Sequence, residues 1–282
     1  MSLPFLSAAD VEQRIDVAGA ADALEAALRA GFDPESDPPR SAVELGRGEL
    51  LVMPSTVGGH AAVKLVSVGG EPRVQGLCVV FDGQTLAPVA LVDGIALTNL
   101  RTPAVSTMAV RRLAAPHARR LLVFGRGPQA QAHTEAMRAV RPIERVDMLG
   151  RDGGAIEELV EAADIICCCT TAGEPLFDGN LVHDGATVVA IGSHEQDARE
   201  VDDALVRRAT VVVESRRSAM REAGDVIGAV RSGALGEDDL MTLRELVRDQ
   251  PTLDLARPRL FKSTGMAWED AVVASAVVEA EG

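Results

Sequence analysis

Apolar and polar positions divide the chain into three rhythms. Residues 8–31 repeat Ala and Leu at helical spacing and stop at Gly31, which predicts a helix. Residues 40–92 break into short β-rich runs (ELLVM, AAVKLVSV, GLCVVFD, PVALVDG) separated by Gly and Pro turns, the pattern of an antiparallel meander. Residues 97–114 return to helical character and end before Pro116. From Arg120 strand and helix alternate strictly. LLVFG leads into QAQAHTEAMRAV, ERVDML into AIEELVEAA, then IICCCTT, ATVVAIGS with REVDDALVRRA, and TVVVES with SAMREAGDVIGAVRSG. Near-continuous apolar strands of four to six residues between helices predict a parallel sheet buried on both faces, a doubly wound α/β domain over about 116–255. After it come the short strand-like RPRLFK and an Ala-rich helix, expected to pack back on the first segment and make the first domain discontinuous.

Composition narrows the function classes. The chain has 282 residues and a net charge of −14, and aromatic residues are 2% with no Tyr. An acidic surface without stacking platforms argues against nucleic acid and against anionic membrane partners. The N-terminal MSLPFLSAADVEQ has neither a basic n-region nor a long apolar core, and no apolar run reaches the length of a membrane span. Cys78 and the run Cys167, Cys168, Cys169 show no CxxC spacing, so buried strand positions are expected rather than a metal or disulfide site. A soluble, reducing, cytoplasmic setting is the resulting expectation. Among the 28 basic residues only Lys64 and Lys262 are lysines, the other 26 being arginines. In such a chain each lysine marks a place where arginine does not serve.

The first βα turn reads Gly125-Arg126-Gly127-Pro128-Gln129-Ala130, a G-x-G-x-x-A pattern placed directly after a strand and before a helix. The first glycine permits the tight turn, and the second lets backbone N–H groups approach a pyrophosphate. The small third residue allows close helix–strand packing. Gly125, Gly127, Pro128, Gln129 and Ala130 are therefore the expected dinucleotide-binding turn. Thr170, Gly192 and Ser193, at the ends of later strands, are further cofactor candidates. The second strand runs into Arg151, one step ahead of Asp152, which favours NADP(H) over NAD(H), since Arg accommodates a 2′-phosphate. An ordinary solvated loop arginine is the bland reading of Arg151.

Lys64 lies in AAVKLVSV, where Ala62, Val66 and Val68 share its face. A lysine among apolar neighbours loses hydration, shifts its pKa, and can donate a proton or bind a carboxylate; the alternative is a lysine that snorkels from a strand edge. Arg101, opening a helix in TNLRTPA, is a second candidate for gripping an anionic substrate. As a plain surface arginine it would oppose the helix dipole.

At these residues the chain resembles the ornithine cyclodeaminase/μ-crystallin family. The resemblance is carried by PPR at 38–40, LLVMPS, VKLVSV, LTNLRTPAVSTMA at 97–109 and FGRGPQAQAH, and continues through EPLFDG at 174–179, AIGSHEQDAREVD at 190–202, EAGD at 222–225 and FKSTGMAWED at 261–270. It implies a Rossmann dinucleotide-binding domain (116–255) inserted in a discontinuous α+β substrate-binding and dimerisation domain (1–115 plus 256–282), and a homodimer. It implies that Arg40, Lys64 and Arg101 gather the carboxylate of a small amino or imino acid, with Thr102 and Ser106 near the cofactor. Two positions depart from the cyclodeaminase pattern. Leu51 stands where cyclodeaminases carry a glutamate, and His194, after Gly192 and Ser193, stands where they carry a catalytic aspartate. A histidine exchanges protons near neutral pH without reproducing that anionic site; the bland reading of His194 is a loop residue capping the next helix.

The leading expectation is an NAD(P)H-dependent reductase of a small cyclic imino acid, such as pyrroline- or piperideine-2-carboxylate, or the reverse amino-acid dehydrogenase, with Lys64, Arg101 and His194 as catalytic candidates. The alternatives are ornithine cyclodeamination with recycled NAD, and a μ-crystallin-like nucleotide-binding protein with little catalysis. Arg259 and Lys262 lie in a shared motif with their role open between domain crossover and cofactor phosphate.

Overall fold

The computed structural model describes residues 3–150, 156–249 and 251–280. The chain forms two compact units, Met1–Val105 with Met266–Gly282, and Ser106–Gly265. In the first unit, strands β1 (Phe5–Leu6), β2 (Ser41–Leu45), β3 (Gly48–Val57), β4 (His60–Val68), β5 (Val74–Asp82) and β6 (Pro88–Asp93) make a six-stranded sheet in the order β1-β6-β5-β4-β3-β2. The β2–β6 part is the expected antiparallel meander, and β1 joins β6 in parallel.

The helix expected over 8–31 is two helices, α1 (Ala8–Arg14) and α2 (Val17–Arg29). Asp16 interrupts them, because its side chain accepts the Gly19 N–H as an N-cap and so starts a new helix. The helix α3 (Gly94–Leu113) follows β6. The terminal helix α10 (Ala267–Glu279) packs on β3, β4, β5 and α2 and is buried on nearly all sides of its first two turns. Arg14 donates to its last carbonyls, Val277 O at 3.0 Å and Ala280 O at 2.9 Å, where a cation also complements the helix dipole. The expected return of the last helix to the first segment is thus observed.

The second unit holds an all-parallel seven-stranded sheet. Its members are β7 (Arg120–Phe124), β8 (Arg145–Leu149), β9 (Ile165–Cys168), β10 (Thr187–Ala190), β11 (Thr210–Val213), β12 (Met241–Thr242) and β13 (Arg259–Lys262), in the order β12-β11-β13-β10-β9-β7-β8. Helices α4 (Pro128–Val140), α5 (Ile156–Ala162), α6 (Asp203–Arg208), α7 (Arg216–Glu222), α8 (Gly224–Arg231) and α9 (Leu243–Arg248) connect them. This is the doubly wound α/β fold read from the strand–helix alternation. Strand order reverses between β7 and β9, so a crevice opens outside the carboxyl ends of those strands.

The two units divide at 105/106 and 265/266, whereas the sequence pattern suggested 115/116 and 255/256. The strand-like RPRLFK is β13, inserted between β10 and β11 in the middle of the sheet. All four of its residues are buried. Strand alternation along the chain does not predict it, because it enters a gap between strands that precede it. The helix read over SAMREAGDVIGAVRSG is also two, α7 and α8, broken at Ala223. Gly224 there lies tight against the carbonyls of Ala198, Glu195 and Gln196, so the chain must turn.

Candidate functional site

The meander positions Lys64. Along β4, Ala62, Lys64 and Val66 are buried on one face, as the alternation predicted. Lys64 is 2% exposed, its neighbour across β3 is Met53 and across β5 is Cys78. Its Nζ donates to Asp270 Oδ1 of α10 at 2.8 Å and to Thr98 Oγ1 of α3. A snorkelling lysine is excluded by this burial. Arg101 of α3 reaches the same carboxylate, Nε lying 3.3 Å from Asp270 Oδ1, and its Nη1 donates to Glu269 Oε2 at 2.8 Å. Two adjacent acids at the start of α10 therefore bind the two cations the sequence singled out, and Asp270 Oδ1 lies between both. Asp270 Oδ2 accepts no hydrogen bond from any described residue.

Burial holds the Lys64 ammonium below the usual lysine range, with the Arg101 charge adding to the effect and Asp270 opposing it. Asp37, three residues before Arg40, takes the Trp268 N–H at 2.9 Å and the Ser55 hydroxyl. Burial pushes its carboxyl up to about 6, against those hydrogen bonds and with help from the charge of Asp270. Arg40 is half-buried and immediately precedes β2. The structure thus brings Lys64 and Arg101 together on Asp270, while Arg40 is linked to that cluster by its closeness in sequence to Asp37. Asp37, Thr98, Glu269 and Asp270 were not singled out from sequence. The available signal was a pair of acids opening an otherwise apolar Ala-rich helix.

In the second unit the glycine turn has the form the motif requires. Gly125 follows β7 with φ +119°, and a Cβ there would lie 2.6 Å from the Cys169 carbonyl oxygen. Gly127 is the N-cap of α4, Pro128 opens the helix, and Ala130 is fully buried against the turn. Gly127 has an ordinary φ of −80°, and a Cβ there would meet nothing within 4 Å. Among the described residues no contact demands this glycine, and the space beside the helix N-terminus suits the close approach of a phosphate. Gln129 lies in the first turn of α4, its carbonyl accepting from His133 Nδ1. Burial pushes His133 down to about 4, and its Nε2 pairs with Ser106 Oγ of α3 at 2.9 Å. Thr102 is a buried residue of the same helix, four positions earlier. The residues present fit a nicotinamide dinucleotide.

Thr170 lies just beyond β9, and Gly192 and Ser193 just beyond β10, all at carboxyl strand ends. His194 is an exposed loop residue. It does not cap the following helix, since α6 is capped by Asp202, which accepts from Leu205 N at 2.9 Å. Arg151 lies outside the described residues.

A family model for the "Ornithine cyclodeaminase/mu-crystallin family" matches residues 2–159 and 153–281. The chain belongs to this family. It is 34% identical to a Delta(1)-pyrroline-2-carboxylate reductase of Colwellia psychrerythraea over 226 residues, 71% of this chain and 72% of that protein. It is 32% identical to the ketimine reductase mu-crystallin of Mus musculus over 98% of this chain and 96% of that one. The solved Delta(1)-pyrroline-2-carboxylate reductase of Thermococcus litoralis, in complex with NADH and L-proline, superposes with a TM-score of 0.91 at 28% identity, covering 98% and 97% of the two chains. These relatives are named as pyrroline-2-carboxylate and ketimine reductases, one of them solved with NADH, and the family resemblance read from the motifs is confirmed.

Within this family member the departure at Leu51 has a structural counterpart. Leu51 packs with Met53, Val66 and Ala267 in an apolar cluster on the Lys64 face of the sheet.

Proposed function

We propose that this family member reduces a small cyclic imino acid of the pyrroline- or piperideine-2-carboxylate type, or oxidises the corresponding amino acid. One observation carries the reading: a buried lysine and a buried arginine converge on one carboxylate of α10, beside an apolar cluster that includes Leu51. A nicotinamide cofactor, held by the glycine turn and the strand ends of the second unit, would supply hydride for the imine carbon. Arg101, with Arg40, anchors the substrate carboxylate through a charge-assisted fork. Lys64, whose ammonium burial makes more acidic, donates a proton toward the imine nitrogen. The apolar cluster favours a ring over a side chain ending in an amine, which sets the reductase above the cyclodeaminase. His194 and Thr102 enter as candidate contacts of substrate and cofactor respectively.

The finer assignments belong to the same proposal. The turn Gly125–Ala130, with Thr170, Gly192 and Ser193, holds the dinucleotide. Arg151 supports a preference for NADP(H). The first unit supplies substrate binding and dimerisation, and the edge strand β2 supports a homodimer: all five residues are exposed, Val43 at 51% and Leu45 at 50%. The four free thiols, those of Cys78, Cys167 and Cys168 buried, agree with a cytoplasmic setting.

The test is NADPH and NADH oxidation with pyrroline-2-carboxylate and piperideine-2-carboxylate, beside ornithine with NAD and an ammonia readout. Turnover of a cyclic imino acid is expected, faster with NADPH. Ammonia and proline from ornithine without net NAD reduction would overturn the proposal in favour of the lyase. Tight nucleotide binding without turnover of any imine would leave a binding protein. Gly127→Ala is expected to retain thermal stability and lose dinucleotide affinity, because its Cβ meets no described residue within 4 Å and enters the space proposed for the phosphates.

A further inference from the structure

Lys262, the second lysine, lies at the carboxyl end of β13 and is 1% exposed. Its Nζ donates to Ser193 O at 2.7 Å and lies 2.9 Å from Asp225 Oδ2. Asp225, placed by the break between α7 and α8, uses Oδ1 to accept the N–H groups of Glu200 at 2.7 Å and Val201 at 2.9 Å. Glu200, itself fully buried, then clasps two strand ends. Its Oε1 accepts from Thr170 N at 2.9 Å and Thr170 Oγ1 at 2.8 Å, and its Oε2 accepts from Gly192 N at 2.7 Å. Gly192 is essential to the clasp, since a Cβ there would strike the Thr170 carbonyl and the Glu200 carboxylate. Ser193 Oγ donates to Ala198 O at 2.8 Å and closes the loop onto itself.

The backbone groups that Glu200 and Lys262 hold belong to Thr170, Gly192 and Ser193, just beyond the carboxyl ends of β9 and β10, on the side of the switch point away from the glycine turn. In a doubly wound sheet the second mononucleotide half of a dinucleotide lies there. We propose that Glu200, Asp225 and Lys262 are positioning residues for the nicotinamide half of the cofactor, holding Thr170, Gly192 and Ser193 in register while leaving the adenine half to the glycine turn. This rests on reading the second unit as a dinucleotide site.

The charge of Glu200 is part of the device, because an ionised carboxylate accepts from every N–H and O–H it faces. A protonated one presents a donor to other donors. The groups facing it are Lys262 from β13, Asp225 from α8 and the thiols of Cys167, Cys168 and Cys169 at the end of β9. Burial pushes its carboxyl up to about 7, against Lys262 and the hydrogen bonds from Thr170 and Gly192.

The experiment compares NADH with ADP-ribose, which lacks only the nicotinamide ring, by equilibrium binding to the full chain without substrate. If the wild type binds neither, the dinucleotide reading itself fails, and this inference with it. With both bound by the wild type, Glu200→Gln, nearly isosteric, is expected to weaken NADH about tenfold or more and ADP-ribose less than about twofold. Parallel weakening of both ligands, or no change in either, would overturn the positioning role. Should Glu200→Gln not fold, the wild type decides. The ratio of NADH to ADP-ribose affinity is expected to fall below about pH 7, and a flat ratio between about pH 5.5 and about 8.5 overturns the proposal.

Discussion

Lys64 and Lys262 are a matched pair set in two different units. Each is buried at the end of a strand or within one, and each holds an aspartate, at 2.8 Å for Asp270 and 2.9 Å for Asp225. In the second unit Asp225 spends its other oxygen on two backbone N–H groups, and Lys262 donates to a backbone carbonyl. In the first unit Asp270 shares one oxygen between Lys64 and Arg101, and its second oxygen accepts no hydrogen bond from any described residue. Both aspartates are buried and both answer a lysine, and the use of their oxygens separates them: Asp225 turns Oδ1 to backbone and Oδ2 to Lys262, whereas Asp270 serves both cations through Oδ1. A carboxylate engaged at both oxygens fixes backbone, whereas one with an oxygen left over retains capacity for a ligand. Lysine serves both because a compact ammonium fits where the wider guanidinium fork would need more room and more acceptors.

The comparison can be tested from either side, beginning with the largest effect. Lys64→Met is expected to lower kcat for cyclic imine reduction by about 10²–10⁴-fold while the protein stays folded, since Arg101 still offsets Asp270. Steady-state NADPH oxidation with circular dichroism checks both halves of that statement. Retention of wild-type kcat would remove Lys64 from the chemistry. Lys262→Met leaves Asp225 and Glu200 buried without their cation and is expected to cost about 3–5 kcal/mol in urea unfolding, since one partner of a buried pair is removed. A cost below about 1 kcal/mol would show that the Lys262 network is not holding the fold.

Smaller effects sharpen the contrast. Glu269 occupies the Arg101 fork that a substrate carboxylate needs. Glu269→Gln is therefore expected to lower KM severalfold, by less than about tenfold, with kcat little changed; a raised KM would make Glu269 a support of the site and not a competitor. The smallest effect is on pH-dependent stability. Asp37 and Glu200 have folded pKa values raised to about 6 and about 7. The folded state thus binds their protons more tightly than the unfolded state. Their contribution is complete below the ordinary carboxylate range and is lost as pH rises from about 4 through the folded values, about 6 for Asp37 and about 7 for Glu200. Urea midpoints are expected to fall across that window, by about 1–2 kcal/mol in stability for Asp37, and Asp37→Asn is expected to flatten its share.

Much of the site was readable from local pattern. The alternation of β4 put Lys64 on the buried face, and the strand–turn–helix setting of Gly125–Ala130 marked the glycine turn proposed to hold the nucleotide. Other residues were not readable. Glu269 and Asp270 sit inside the quoted FKSTGMAWED motif, yet nothing in their spacing reveals that they meet Arg101 and Lys64. His194 illustrates the converse: its place after the strand was clear, but the helix it was thought to cap begins only at Asp203, with Asp202 as its cap.

The sequence by itself determined the meander, the doubly wound unit, the tight glycine turn and the family, because each is written in short-range periodicity or in motifs a few residues long. The tertiary structure alone decided which acids answer the two lysines and where the last strand goes. Lys64 and Asp270 are 206 residues apart, and β13 enters a sheet between strands already laid down. A buried ammonium requires a counter-charge somewhere, but chain spacing does not say where. Only the packing of α10 on the meander and the insertion of β13 between β10 and β11 supply that choice.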